Sequence, residues 1–443
     1  MYRKLLLVLL ITNLLLANPV FSDDCKWKVK DRWVLKQTGK DTSYNKFFAI
    51  GIWGVPAYDI NKANSENTRY FQKVTKNFNL IYSRAQDVND LMADKVKMIG
   101  TSEFPWTFGR YLNKKTEGID YYLQKNNIYS GMQKIKSDIQ SSELNGLLKM
   151  QTQSILNYSH IDSHIWAPID EPASGYGWCW YPNVLIELYK TIKFQDPNSL
   201  VYIDLVGNGR ANHFLTEQTY LSGVNNLNLN EERERKKYEE KVVRYVTEEV
   251  RKVSGSRTLV NEKIWFDNIK RTAAGYKDCG DIFGINSYRD FFDNPLLAGV
   301  TVDAMFSSLG TDKAVWLFFD SNGYAKFPNT SIEYYLKNVK LQIYISIIHG
   351  ATGVLFWNDT SINNNDNFRV ALPLIKELRR FNNIIMLETN KKECSGEIIY
   401  IEKIDVYGKK HIIAANTSKT KKCFINHPLI RRKFLLPMEV FIK

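Results

Sequence analysis

Short catalytic signatures are largely missing from this sequence. No GxGxxG follows any apolar run, which argues against a dinucleotide site. There is no GxSxG elbow, which disfavours an esterase, and the six histidines show no HExxH spacing for a zinc hydrolase. Cysteine is sparse: Cys25, Cys179, Cys279, Cys394 and Cys423, with no CxxC pair. Beyond the N-terminus no apolar run approaches the ~20 residues of a membrane span. Internal repeats and low-complexity linkers are absent.

What is present is a long, aromatic-rich chain. Its 443 residues are 44% hydrophobic and 13% aromatic, a globular composition too long for one small core. The formal charge is +13. Its basic residues are mixed with acids, as in EERERKKYEEKVVRYVTEEVRK at 231–252. That is the pattern of a solvated helix face, so no nucleic-acid partner is expected. The excess does suit anionic partners, such as acidic polysaccharides or a membrane surface.

Residues 1–22 read as a secretory signal: basic Arg3-Lys4, an apolar run from Leu5 to Leu16, and a small-residue exit at Val20-Phe21-Ser22. The expected location is secreted, periplasmic or cell-surface. Export permits disulfides. Cys394 with Cys423 across the last strands and Cys179 with Cys279 across two loops are the candidate pairs, with free thiols as the alternative. Asn157, Asn329, Asn358 and Asn416 stand in N-x-S/T sequons.

Residues 23–45 are polar and poorly patterned, an N-terminal extension. Eight short apolar runs follow: 47–53, 78–82, 96–100, 164–169, 200–205, 281–286, 314–319 and 353–357, separated by longer helical stretches. Residues 211–274 form a long, mostly helical insertion. This alternation predicts an α/β fold, a (β/α)8 TIM barrel over 46–388, with a doubly wound open sheet as runner-up. Residues 389–443 predict a small C-terminal all-β domain. Nothing in the sequence sets an oligomeric state.

Active residues of such a barrel lie where strands end. The predicted ends offer Trp53, Arg84, Glu103, Asp170 and Glu171, Asp204, Tyr288, Asp320 and Trp357. Carboxylates, one arginine and aromatic rings converge there. The loop after Glu171 adds Trp178 and Trp180.

The pieces FFAIGIWGVPAY, APIDEPASGYGW, DIFGINSYRDF, AVWLFFDSNGY and GATGVLFWND resemble the large superfamily of retaining (β/α)8 glycoside hydrolases. The resemblance implies an acid/base at Glu171, after Asp170 in the usual asparagine place, and a nucleophile at Asp320. It further implies that Tyr288 and Arg84 support the nucleophile and that Trp357 floors the sugar site. Trp53 and Trp178 would be further substrate-binding rings. Asp320 departs from the superfamily, whose nucleophile is glutamate. The implied activity is cleavage of O-glycosidic bonds in an oligo- or polysaccharide, with no metal or organic cofactor. Two other readings remain open: a non-catalytic carbohydrate-binding or cell-surface protein on the same barrel, and an inverting enzyme pairing Glu171 with Asp204 or Asp170.

Overall fold

The computed structural model describes residues 25–38, 43–53, 76–84, 97–101, 165–167, 182–206, 262–320, 330–357 and 364–443, with isolated helical positions between 233 and 244. The chain begins with strands β1 (Cys25–Lys30), β2 (Trp33–Thr38) and β3 (Asn45–Phe47), an antiparallel sheet in that order. Eight parallel strands follow: β4 (Ala49–Trp53), β5 (Leu80–Arg84), β6 (Lys97–Thr101), β7 (Ile165–Trp166), β8 (Leu200–Val206), β9 (Ile282–Asn286), β10 (Ala314–Asp320) and β11 (Gly353–Trp357). The described helices are α1 (Pro182–Gln195), α2 (Glu262–Tyr276), α3 (Tyr288–Asp293), α4 (Leu296–Leu309), α5 (Ile332–His349) and α6 (Asn364–Ile385).

The parallel strands pair in sequence order and β11 returns to β4, a curled, TIM-like ring. Pairing is broad from β8 round to β4, while the two-residue β7 joins β6 to β8 as a thin seam. β4, β8, β9, β10 and β11 are buried on both faces, which is why they read as continuous apolar runs. Alternate residues serve two cores. Ile50, Ile52, Val315, Leu317, Phe319, Val354 and Phe356 pack outward with α4 and α5 residues. Ala49, Trp53, Tyr202, Trp316, Phe318 and Leu355 fill the interior.

That interior is packed by size alternation. Tyr202 stacks on Trp316 at 5.8 Å, and Trp53 meets Phe318 edge-on at 5.2 Å. Glycines make the space. A methyl on Gly284 would overlap the Tyr202 hydroxyl, and one on Gly353 would sit 2.6 Å from Trp316 Cδ1.

The N-terminal segment is not an unpatterned extension. Lys26, Lys28 and Lys30 alternate with buried Trp27 and half-buried Val29, a period-two pattern that the lysines disguise. Asp31 and Arg32, at φ 51° and 69°, make the two-residue turn. Trp27 and Val34 join the interior cluster beside Ala49, Leu200 and Ala314, so the hairpin stoppers the mouth where the strands begin. Arg32 N donates to Thr311 O at 2.7 Å, Thr352 Oγ1 donates to Arg32 O at 3.1 Å, and the guanidinium lies over Phe306.

After α6 come β12 (Glu388–Ser395), β13 (Ile398–Ile404), β14 (Lys410–Asn416), β15 (Cys423–His427), β16 (Arg431–Leu435) and β17 (Val440–Ile442). The first sheet runs β12-β13-β14-β17; β15 and β16 form a separate ribbon. Ile399, Ile401, Ile413 and Ala415 share a core with α5. Ile398, Tyr400, Ile412 and Ala414, on the opposite face, meet Ile425 and Leu435 of the ribbon.

The expected staple between Cys394 and Cys423 is not formed. Both are thiols: Cys394 lies on exposed edge strand β12, and Cys423 Sγ is 3.3 Å from Glu397 Oε2 on the ribbon side. The sequon at Asn416 is closed as well. Its Nδ2 is directed inward and donates to the carbonyls of Lys421, Leu435 and Leu436 at 2.9–3.1 Å.

One buried charge sits at the seam of hairpin, barrel and sheet. Lys403 is 4% exposed and donates to Leu387 O at 3.0 Å and Thr389 Oγ1 at 3.2 Å. Burial first, then the charge of Lys46, pushes its pKa down from 10.5 to about 8. Between those values the unfolded chain holds a proton that the folded chain has released. Stability contributed through this group therefore rises with pH across that window and is lowest below pH 8. Denaturant titrations of wild type and Lys403→Met at pH 7 and pH 10.5 test this. The wild type should gain on the order of 3 kcal/mol relative to the variant between those pH values. A difference independent of pH would show that Lys403 folds at its ordinary pKa.

Candidate functional site at the ends of the parallel strands

Three sequence-predicted residues end adjacent strands in lateral register. Asp320 closes β10 opposite Trp357 of β11, and Trp357 is opposite Trp53 of β4. Trp316, Phe318 and Asp320 alternate onto the inward side, so the strand delivers a carboxylate on top of its own aromatic core. Asp320 is 6% exposed. Tyr335 Oη on α5 donates to its main-chain oxygen at 2.6 Å, fastening the strand end to the helix behind it.

Beside it lies a pair of rings. Tyr288 begins α3 just beyond β9, and its ring stacks on Trp357 at 5.5 Å with 18° between planes. Both are half-buried, so the pair meets the core on one side and keeps surface on the other. Trp53 differs: it is buried against Phe318 and Tyr202 and caps the interior.

Arg84 closes β5, next to β4 in the ring, so the backbone brings it to the same end of the barrel. Asp170, Glu171 and Trp178 lie outside the described residues; the strand leading to them is β7. Asp204 lies deeper. It is 1% exposed, accepts from Asn286 Nδ2 at 2.9 Å, and has the Tyr202 hydroxyl at 3.5 Å. This carboxylate is engaged by the top of the core, which fits a support for the strand ends better than a water-activating base. Asn286 was not anticipated as part of the site. Its signal is the alternation Ile282, Gly284, Asn286, which carries one amide onto the inward face.

Among the described residues no three His, Cys, Asp or Glu side chains gather as a metal site would need, and no helix is long and apolar enough to cross a membrane. What the rim assembles is a buried carboxylate next to an aromatic stack. Sugars offer apolar C–H faces to such rings, while a carboxylate can meet positive charge developing at an anomeric carbon.

No protein-family model matches the chain, and neither does any curated protein. Among solved structures it is similar to a family 39 glycoside hydrolase from the gut symbiont Bacteroides cellulosilyticus WH2, at 10% identity over 91% of this chain and 80% of that one, with a TM-score of 0.45. An endo-β-1,6-glucanase aligns at 11% identity over 94% and 92%, TM-score 0.41. A β-galacturonidase from Eisenbergiella tayi, bound to galacturonate, aligns at 12% identity over 75% of this chain, which spans 47% of that longer protein, TM-score 0.40.

Proposed function

We propose that the chain is an exported retaining glycoside hydrolase on a complete (β/α)8 barrel, acting on an oligo- or polysaccharide. The observation that carries this reading is the placement of Asp320 in register with Trp357 beside the Tyr288 stack. Glu171, which follows β7 in the sequence, is the acid/base. Protonated, it donates to the glycosidic oxygen as the bond to the leaving sugar breaks. The Asp320 carboxylate attacks the anomeric carbon and forms a glycosyl ester. Glu171, now ionised, takes a proton from water, whose oxygen displaces Asp320 and releases the sugar with its configuration retained. The Trp357–Tyr288 stack floors the sugar, and Arg84 keeps Asp320 ionised by its positive charge. Asp170 and Trp178 complete the contacts to substrate. Chemistry of this kind uses the chain's own carboxylates and water.

Turnover of a panel of aryl glycosides and polysaccharides tests the proposal, with the anomer of the first product read by NMR. Hydrolysis with retention is the expected result. Trp357→Ala should raise KM more than it lowers kcat, because a stacking floor binds ground and transition states alike. Inversion would move the chemistry to a Glu171 partner other than Asp320. Saccharide binding without turnover would make the barrel a carbohydrate-binding protein, a reading that the deep burial of the short Asp320 side chain favours.

A further inference from the structure

The C-terminal module carries a surface that glycoside hydrolysis does not use. From Val406 to Met438 the sequence holds eight Lys and Arg residues and no Asp or Glu, in a chain with 47 acids overall. Of the seven large hydrophobic side chains standing exposed among the described residues, five fall in this stretch: Val406, Tyr407, Phe424, Phe434 and Leu436. Scattered exposed apolar residues need no explanation, but their concentration within an acid-free basic segment does.

The ribbon β15–β16 organises the patch. Its inner face gives Ile425 and Leu435 to the core of the module. Its outer face presents Phe424 and Phe434, which are cross-strand partners with ring centroids 5.1 Å apart. Leu436 follows just beyond β16 and is 57% exposed. The Lys422 ammonium lies 4.9 Å from the Phe434 centroid, and its chain neighbour Lys421 is exposed, whereas Lys419 donates to Asp293 O at 2.6 Å. The ribbon is the outermost layer, with the four-stranded sheet between it and α5.

Charge and ring geometry select the partner. The basic segment needs an anionic one. The two rings are tilted by 55°, so they do not make the single plane on which a sugar chain stacks. An acyl-chain boundary accepts rings at any tilt, takes Leu436 equally well, and sets phosphates at the level of the lysines. We propose that the outer face of β15–β16, formed by Phe424, Phe434 and Leu436 within the basic stretch 406–438, docks the protein on an anionic phospholipid surface. Apolar insertion and basic attraction act together, the two signals that stable peripheral binding requires.

Flotation of the full-length protein with vesicles tests this. Equimolar phosphatidylglycerol and phosphatidylcholine vesicles should carry the protein, and pure phosphatidylcholine vesicles should not. Phe424→Ser with Phe434→Ser should weaken binding by about tenfold or more at unchanged salt dependence. Lys421→Glu with Lys422→Glu should weaken it most at low salt, where screening is least. Unchanged thermal midpoints confirm that each variant is folded. Equal binding to neutral vesicles, or full binding by the folded double-Phe variant, would overturn the proposal. So would absence of vesicle binding by the wild type alongside retention on polygalacturonate that the same variants lose, which would give this surface to an acidic polysaccharide. Each arm reads binding directly, so its failure is separate from failure of the hydrolase reading.

Discussion

Asp320→Asn is expected to lower hydrolysis by at least about a thousandfold while the protein stays folded, because removal of a covalent nucleophile leaves only binding and general-acid contributions. The substitution keeps side-chain volume at a 6% exposed position. It also spares the Tyr335 hydrogen bond, which ends on the main-chain oxygen of Asp320 and not on its carboxylate. A loss of activity in a variant with wild-type thermal stability is then chemical in origin. Glu171→Gln should lose activity against poor leaving groups and keep far more against activated aryl glycosides, whose departure needs no proton. In Asp320→Gly, azide should restore turnover of an activated substrate and yield a glycosyl azide of inverted configuration, because a small anion then occupies the vacated position. Wild-type rates in Asp320→Asn would place the nucleophile elsewhere on the rim. Asp320 would then be a polar cap on the core, like Asp204 beneath it.

Strands β4, β8, β9, β10 and β11 were legible because burial on both faces leaves short runs dominated by apolar residues. β8, β10 and β11 lie within a residue or so of the expected 200–205, 314–319 and 353–357. Strand ends then located Asp320, Trp357 and Trp53 by a rule about barrels, not by any local motif. The N-terminal hairpin was hidden by its lysines, since a stopper has one wet face and a polar count averages over both. β12 was hidden more thoroughly: nearly every residue of ETNKKECS is exposed, and the strand exists because β13 offers it an edge. No composition of β12 itself announces that. Trp53 read as a rim aromatic, but register turns it onto Phe318 and into the core. Whether a strand-end ring faces substrate or stoppers the interior depends on the size of its neighbours across the barrel, which a single sequence does not pair. The same holds for Asp204 and Asn286, which meet only because β8 and β9 align Asp204 with Gly284 and Val206 with Asn286.

Trp316→Ala is expected to cost about 3–5 kcal/mol, the range for truncating a fully buried large ring. Trp316 is 0% exposed, stacks on Tyr202, and lies over Gly353, its register partner on the neighbouring strand β11, whose own neighbour in register on β4 is Ala49. Small residues on β11 and β4 are thus the counterpart of one large residue on β10. That interlock makes a sharper claim than the truncation alone. Gly353→Ala places a methyl 2.6–2.8 Å from Trp316 Cδ1, Trp316 Cγ and Ala49 Cβ, and should destabilise by about 1–3 kcal/mol. In a Trp316→Leu background the two ring contacts are relieved and only the Ala49 Cβ contact remains, so the same change should cost less by about 1 kcal/mol. Urea denaturation of the four proteins in that cycle measures the coupling. Strict additivity would mean that the interior accommodates the ring without help from Gly353. A coupling of the expected sign would mean that the rigid platform beneath Asp320 and Trp357 is set by Gly353, at the opposite end of β11 from Trp357, so that variants at Gly353 should also loosen the register that brings the candidate nucleophile and its aromatic neighbour together.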